Sequence, residues 1–134
     1  MKNATISSLR LLIPLVCILS SAHSVTAQVS PTGKPKQFIY VLRLVPRLYS
    51  DGNWTAEDKA AVDRHFVRFK EAIKTGRLIL AGRTSEPGEK TFGIAIFEAP
   101  DEAAAREFME NDPAVVAGVM TAELHPFTVV LQRK

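Results

Sequence analysis

Two residues of this 134-residue chain, His65 and Asp112, have the side-chain types needed for acid–base chemistry near neutral pH. A carboxylate that bonds one nitrogen of an imidazole fixes its tautomer, so the other nitrogen can take or give a proton. His65 lies in a stretch with helical periodicity, at the rim of the face that we expect to be buried. Asp112 follows a second such stretch, on the side of its apolar stripe. If the two helices lie side by side, both side chains reach the gap between them.

Each of these residues also has a simpler interpretation. His65 fits a boundary histidine whose hydrogen bonds are satisfied within the fold. Asp112 precedes Pro113, and Asp before Pro is a common start of a helix, so its role fits that of an N-cap. The residue types alone leave both alternatives open.

Arg43 and Arg83 are candidates for binding an anionic substrate. The simpler interpretation of each is an ordinary surface arginine. The chain has no glycine-rich phosphate loop, and no Ser or Cys lies in a nucleophile motif. His65 and His125 are 60 residues apart, which is a poor spacing for a metal site, and His125 fits a partly exposed strand residue. We therefore predict neither a metal nor an organic cofactor.

The N-terminal segment has the order of a cleaved secretory signal: basic residues, an apolar run over residues 11–19, and small residues ending at Ala27. The apolar run is shorter than the about 20 residues that span a bilayer. We predict a signal peptide over residues 1–27, and a secreted or periplasmic protein that is not membrane-bound after cleavage. Retention of the segment as an anchor is the alternative. Residues 28–36 are Pro-rich and predicted to be a disordered leader, and residues 37–134 form one domain.

The composition after residue 27 excludes several classes of function. Fifteen basic and fourteen acidic residues remain, a net charge of +1, and there is no cysteine. No cluster of Lys and Arg with interleaved aromatic residues occurs, which argues against nucleic-acid binding. Without cysteine the domain has neither disulfides nor thiolate chemistry, so an apolar core must hold the fold.

The hydrophobic pattern predicts the element order β-α-β-β-α-β. Strands are expected over residues 37–45, 77–83, 91–99 and 119–132, the last broken by Pro126. The first helix begins after Thr55, an N-cap followed by acidic residues, and ends at Gly76. Its apolar stripe consists of Val62, Phe66, Phe69 and Ile73. The second helix begins near residue 101, and after Pro113 the pattern allows at most one further turn. Its inward stripe consists of Ala104, Ala105, Phe108 and Met109.

This order places both helices on one face of a four-stranded antiparallel sheet, and leaves the other face bare. Neither face of the first strand is polar, because both alternating sets of residues in 38–45 are largely apolar. A large exposed apolar face is rare on a monomer. We therefore predict a homodimer that packs through the open face of the sheet.

Several segments resemble the YciI-like (YCII-related) family, over about residues 37–132. They are HFVRFKEAIKTGRLILAG, FGIAIFEA, AREFMENDPAVVAGVM and the final LHPF. In combination these motifs are specific: a His early in the first helix, Gly-x-Leu followed by Ala-Gly, and Asp-Pro plus a Gly before the last strand.

The resemblance implies a ferredoxin-like α+β fold that pairs into a dimeric α/β barrel. It also implies an active site formed by the family's His and the Asp of the Asp-Pro motif, which by position are His65 and Asp112. Related members include a dechlorinating enzyme that acts on a chlorinated hydroxyquinol, and the wider superfamily includes lactone isomerases and monooxygenases. The chain departs from the family by its secretion signal and by Arg83, which follows Ala-Gly where many members have Pro and which favours an anionic ligand.

Two functions follow as hypotheses. The first is a small-molecule enzyme of the lyase, isomerase or dehalogenase type, with His65 as general acid–base and Asp112 orienting it in a cleft between helices and sheet. The alternative is a non-catalytic dimer of the cell envelope that binds a small molecule or a partner, with His65 and Asp112 as a structural pair. Fold alone does not decide between them.

Overall fold

The computed structural model describes residues 34–133, which contain four strands and three α-helices. In chain order these are β1 (Lys36–Leu44), α1 (Ala56–Lys74), β2 (Leu78–Arg83), β3 (Phe92–Ala99), α2 (Glu102–Glu110), α3 (Pro113–Val116) and β4 (Met120–Phe127). The predicted order is confirmed, with α3 as the single further turn. Within the described part, no helix is both long and apolar enough to cross a membrane. The signal peptide predicted over residues 1–27 and most of the predicted leader lie outside the described residues.

The strands form one antiparallel sheet in the order β2-β3-β1-β4, which is the ferredoxin-like α+β arrangement that was predicted. The last strand is shorter than predicted, since β4 ends at Phe127. Pro126 lies within it, opposite Phe38, and does not break it. β4 tolerates this proline because it is an edge strand with a ladder on one side only.

The alternation of β1 divides its side chains between the two faces of the sheet. Phe38, Tyr40 and Leu42 are buried, whereas Ile39 and Val41 on the other face are only partly buried. The buried set packs against residues of both long helices, so α1 and α2 cover the same face, as predicted. This core consists of Phe38, Tyr40, Leu42, Phe69, Ala72, Leu78, Ala95, Phe97, Ala99, Ala105, Phe108 and Met109.

Helix α1 begins and ends at the predicted signals. The Asp58 N–H donates to Thr55 Oγ1 at 3.1 Å, and the Thr55 N–H donates to Asp58 Oδ2 at 3.0 Å, which makes a reciprocal capping box. Arg47 donates two further hydrogen bonds to this carboxylate, at 2.8 and 2.6 Å. Arg47 and then Thr55 hold the pKa of Asp58 far below its usual value. At the other end Gly76 has a φ of +74°, a conformation that glycine adopts without strain.

The buried stripe of α1 shares only Phe69 with the one that was predicted. Its members are Ala61, His65, Phe69 and Ala72. Phe66 and Ile73, expected inside, are 50% and 56% exposed, whereas His65, expected at the rim, is only 3% exposed. The reason is that Val62, Phe66 and Ile73 line a cavity between α1 and the sheet. An apolar side chain that faces a cavity repeats with the same helical period as one that faces a core.

Candidate active site

Asp112 is positioned by the short turn α3. Helix α2 ends at Glu110, and Asp112 is the N-cap of α3, with its Oδ1 accepting the N–H of Ala114 at 2.9 Å. It is therefore not the last member of a helical stripe, as its spacing suggested. Asp112 is nevertheless fully buried, because Ala114 packs with Ala61 of α1 in a small apolar cluster. A Schellman motif closes the turn at Gly118, which has a φ of +66°.

The structure brings His65 and Asp112 into contact. His65 Nδ1 lies 2.8 Å from Asp112 Oδ1 and 2.7 Å from Oδ2. Burial acts to raise the pKa of Asp112, but hydrogen bonds from His65, Ala114 and Tyr40 outweigh it and hold the pKa below its ordinary value. The carboxylate is thus ionised and can only accept, so Nδ1 carries a hydrogen. One carboxylate both caps α3 and orients the imidazole, while a catalytic role for the pair stays a prediction.

Tyr40 completes the surroundings of this carboxylate and was not identified from the sequence. Its hydroxyl donates to Asp112 Oδ2 at 2.9 Å. Burial, followed by the negative charge of Asp112, raises the pKa of Tyr40 well above its usual value, so the hydroxyl remains a neutral donor. The signal was present in the alternation of β1, which puts Tyr40 on the buried face with Phe38 and Leu42, where a hydroxyl needs a partner.

Arg68 is the second residue that the sequence analysis missed. Its Nη2 donates to the carbonyl of Phe108 at 2.7 Å, and its guanidinium lies 4.1 Å above the Phe108 ring. Its Nη1 is 3.9 Å from Asp112 Oδ2 and has no hydrogen-bond partner in the described part of the chain. Arg68 follows His65 by three residues, which places both on the same side of a helix. The carboxylate of Asp112 therefore faces an imidazole, a hydroxyl and a guanidinium.

His65 also lines a cavity of about 580 Å³ between α1 and the sheet. Its Nε2 has no hydrogen-bond partner among residues 34–133, so this nitrogen is available to a ligand. Most of the wall is apolar or aromatic, and it includes Trp54, the only tryptophan of the chain. The remaining apolar wall residues are Leu42, Leu44, Val62, Phe66, Phe69, Ile73, Ala81, Phe92, Ile94 and Met120.

The two arginines that were predicted to bind substrate occupy different places. Arg83, at the end of β2, lines the cavity. Arg43 does not, and its guanidinium lies 5.4 Å above the ring of Phe92, a residue of the cavity wall. Lys70 of α1, which the sequence analysis did not select, lines the cavity as well.

The other predicted features of the site are placed as follows. His125 is exposed on β4, with its Nε2 3.6 Å from Glu123 Oε1, in agreement with a partly exposed strand residue. Among residues 34–133, no group of three or more His, Cys, Asp or Glu side chains is arranged to hold a metal ion.

The chain is similar in structure to 5-chloro-2-hydroxyhydroquinone dehydrochlorinase from Burkholderia phenoliruptrix, solved in complex with 2,5-dihydroxybenzoquinone. The two share a TM-score of 0.47 and 17% sequence identity, over 69% of this chain and 93% of that chain. No curated protein matches the sequence. The YCII-related domain model matches residues 43–128, which is more than half of the chain. The chain therefore belongs to the YCII-related domain family.

Proposed function

We propose that this protein is a small-molecule enzyme in which His65 acts as general acid–base on a substrate held between α1 and the sheet. One observation carries the proposal: the imidazole of His65 lines an apolar cavity while its Nδ1 is fixed by the buried carboxylate of Asp112. A histidine with a purely structural role gains nothing from a second nitrogen that has no partner at a cavity wall.

The geometry supports a simple proton-transfer cycle. In the neutral imidazole, Nδ1 holds the hydrogen and Nε2 accepts a proton from an acidic C–H or O–H of the substrate. The resulting imidazolium is stabilised by the charge of Asp112, and Nε2 then returns the proton to another substrate atom or to a leaving group. General acid–base catalysis of this kind contributes about 10²–10⁴-fold. That range suits elimination, isomerisation or dehalogenation of an already activated molecule.

The cavity walls would bind the substrate. We assign contact with an anionic substrate group to Arg83, which lines the cavity. Arg43 acts less directly in this proposal, since it stacks on Phe92 and so supports part of the wall.

The test is an untargeted search for the substrate. The purified protein is incubated with a metabolite extract of the producing organism, and every mass is followed over time. We expect a metabolite that the wild type consumes, and that His65→Gln and Asp112→Asn consume at least about 10²-fold more slowly. His125→Gln is the matched control, because it removes an exposed histidine and should leave the rate unchanged.

Two results would contradict the proposal. A folded His65→Gln variant that consumes the metabolite as fast as the wild type would remove His65 from the chemistry. Metabolites that bind the wild type without being converted would instead indicate the non-catalytic binding protein.

We also propose that the protein is a homodimer that packs through the open face of its sheet. The support is a set of apolar side chains on the face away from the helices, where Ile39 and Val41 are only partly buried and Leu80 is 49% exposed. Light scattering coupled to size exclusion should give twice the chain mass, and Val41→Glu should give a monomer. A monomeric wild type would contradict this proposal.

Export with cleavage near Ala27 is proposed on the sequence of residues 1–27 alone. Expression of the full chain in a bacterium, followed by fractionation and mass determination, should give a periplasmic or secreted product that begins near Gln28. A product that retains Met1 in the membrane fraction would indicate an uncleaved anchor.

A further inference from the structure

We infer that the cavity selects organic anions, namely molecules with an apolar, ring-bearing body and one carboxylate or a similar negative group. The inference rests on the proposed function, since it names the substrate class of the same cavity. Its support is the set of charges on the cavity wall.

Two charged side chains of the described residues line the cavity, and both are cations: Lys70 and Arg83. No Asp or Glu among residues 34–133 is part of the wall. The carboxylate at its back, Asp112, is fully buried behind His65 and is engaged by His65, Tyr40 and the Ala114 N–H.

Neither wall cation is neutralised within the fold. Among residues 34–133, no acidic side chain lies within ion-pair distance of Lys70 or Arg83. The neighbouring cation Lys74, outside this wall, differs in this respect, because its Nζ is 2.7 Å from Glu71 Oε1. The two wall cations are thus available to a ligand, and apolar walls strengthen their attraction for a negative group by lowering the local dielectric constant.

The rest of the wall determines the shape of the ligand. The aromatic wall residues Trp54, Phe66 and Phe69 offer ring faces and edges. A volume of about 580 Å³ is typical of a cavity that takes a small organic molecule. A cationic ligand would be repelled by Lys70 and Arg83, and a neutral one would leave them without a partner.

An anionic substrate also fits the proton transfer of the proposed function. Removal of a proton by His65 Nε2 places further negative charge on the substrate. Cations at the wall stabilise that charge by electrostatic attraction.

The test compares three ligands of nearly equal size: benzoate, benzamide and benzylamine. Because Trp54 is the only tryptophan and lines the cavity, its fluorescence reports binding directly. We expect benzoate to bind about tenfold more tightly than benzamide, and benzylamine to bind most weakly. Arg83→Gln and Lys70→Gln should each weaken benzoate about threefold to fivefold, as for exposed charge pairs, and leave benzamide unchanged.

Arg106→Gln is the matched control, since it removes an exposed cation of α2 that pairs with Glu102 away from this wall. It should change neither affinity. The inference is overturned if benzamide binds as tightly as benzoate, if benzylamine binds most tightly, or if benzoate does not bind at millimolar concentration. It is also overturned if the two wall variants weaken benzoate and benzamide equally.

The same titrations with His65→Gln separate this inference from the proposed function. A preference for benzoate that persists in His65→Gln supports the anion site whether or not that variant turns over substrate. The opposite outcome is that His65→Gln loses turnover while the wild type shows no preference for benzoate over benzamide. That outcome would agree with the proposed function and refute the anion site.

Discussion

Replacing Tyr40 with Phe tests whether buried hydrogen bonds to Asp112 stabilise the fold. The change removes one hydroxyl and keeps the ring, which packs edge-on against Phe69, Phe97 and Phe108 at centroid distances of 6.1, 5.6 and 6.3 Å. The hydroxyl donates to Asp112 Oδ2 at 2.9 Å, and both residues are 0% exposed. A hydrogen bond to a charged group contributes about 1.5–3 kcal/mol. We expect the free energy of unfolding to fall by about that amount.

Urea unfolding followed by the fluorescence of Trp54 measures this loss. With a slope of about 1.5 kcal/mol per molar urea, the midpoint should decrease by about 1–2 M. Tyr49→Phe is the control, because Tyr49 is 39% exposed, and its change should stay within about 0.5 kcal/mol. In an Asp112→Asn background the effect of Tyr40→Phe should shrink by about 1 kcal/mol, since a neutral amide is a weaker acceptor. Equal midpoints for Tyr40→Phe and the wild type, or an undiminished effect in that background, would refute the reasoning.

Three further predictions can be checked by the same unfolding measurement. Phe69→Ala should lower the free energy of unfolding by about 3–5 kcal/mol, because Phe69 is 5% exposed in the core. Phe66→Ala should lower it by less than about 1 kcal/mol. Similar losses for the two variants would show that the buried residues and the cavity-facing residues of α1 are wrongly distinguished. The pKa of Asp112 is lower in the folded chain than in the unfolded chain, where it is about 3.9. Its ionised form therefore stabilises the fold at pH values above about 3.9, and this stability is lost as the pH falls through the folded pKa. The difference between wild type and Asp112→Asn should therefore shrink below about pH 4, and a difference independent of pH would contradict the assignment. Gly76→Ala should cost about 1 kcal/mol because of its positive φ, and a neutral effect would argue against the assigned conformation.

Local signals in the sequence were sufficient for the element order and for the ends of α1. Thr55 with Asp58, and Gly76, act within one turn of the helix, so their effect is readable from neighbouring residues. The approach of His65 to Asp112 was also predicted, although by a route that the structure corrects. Asp112 reaches His65 as the N-cap of α3 and not as a member of the stripe of α2.

The remaining features depend on contacts between distant parts of the chain. Tyr40 and Asp112 are 72 residues apart, and no periodic pattern links a strand residue to a cap in another part of the chain. The apolar stripe of α1 was misplaced because periodicity records which residues avoid water, whether a core or a cavity excludes it. Phe66 and Ile73 are thus informative in retrospect, since their exposure in the folded chain marks the cavity wall.

The hydrogen bonds of Asp112 allow its contribution to stability to be tested apart from its contribution to catalysis. Oδ1 holds the start of α3 through the Ala114 N–H, Oδ2 accepts the Tyr40 hydroxyl, and His65 Nδ1 lies close to both oxygens. Removing the Tyr40 hydroxyl takes away one of these bonds but leaves the contact that orients the imidazole. Replacing Asp112 with Asn removes the charge that stabilises an imidazolium as well. If His65 is the acid–base group, the Tyr40→Phe variant should therefore lose stability but keep most of its turnover. The Asp112→Asn variant should lose both stability and turnover. A purely structural role of His65 and Asp112 does not produce this difference between the two variants.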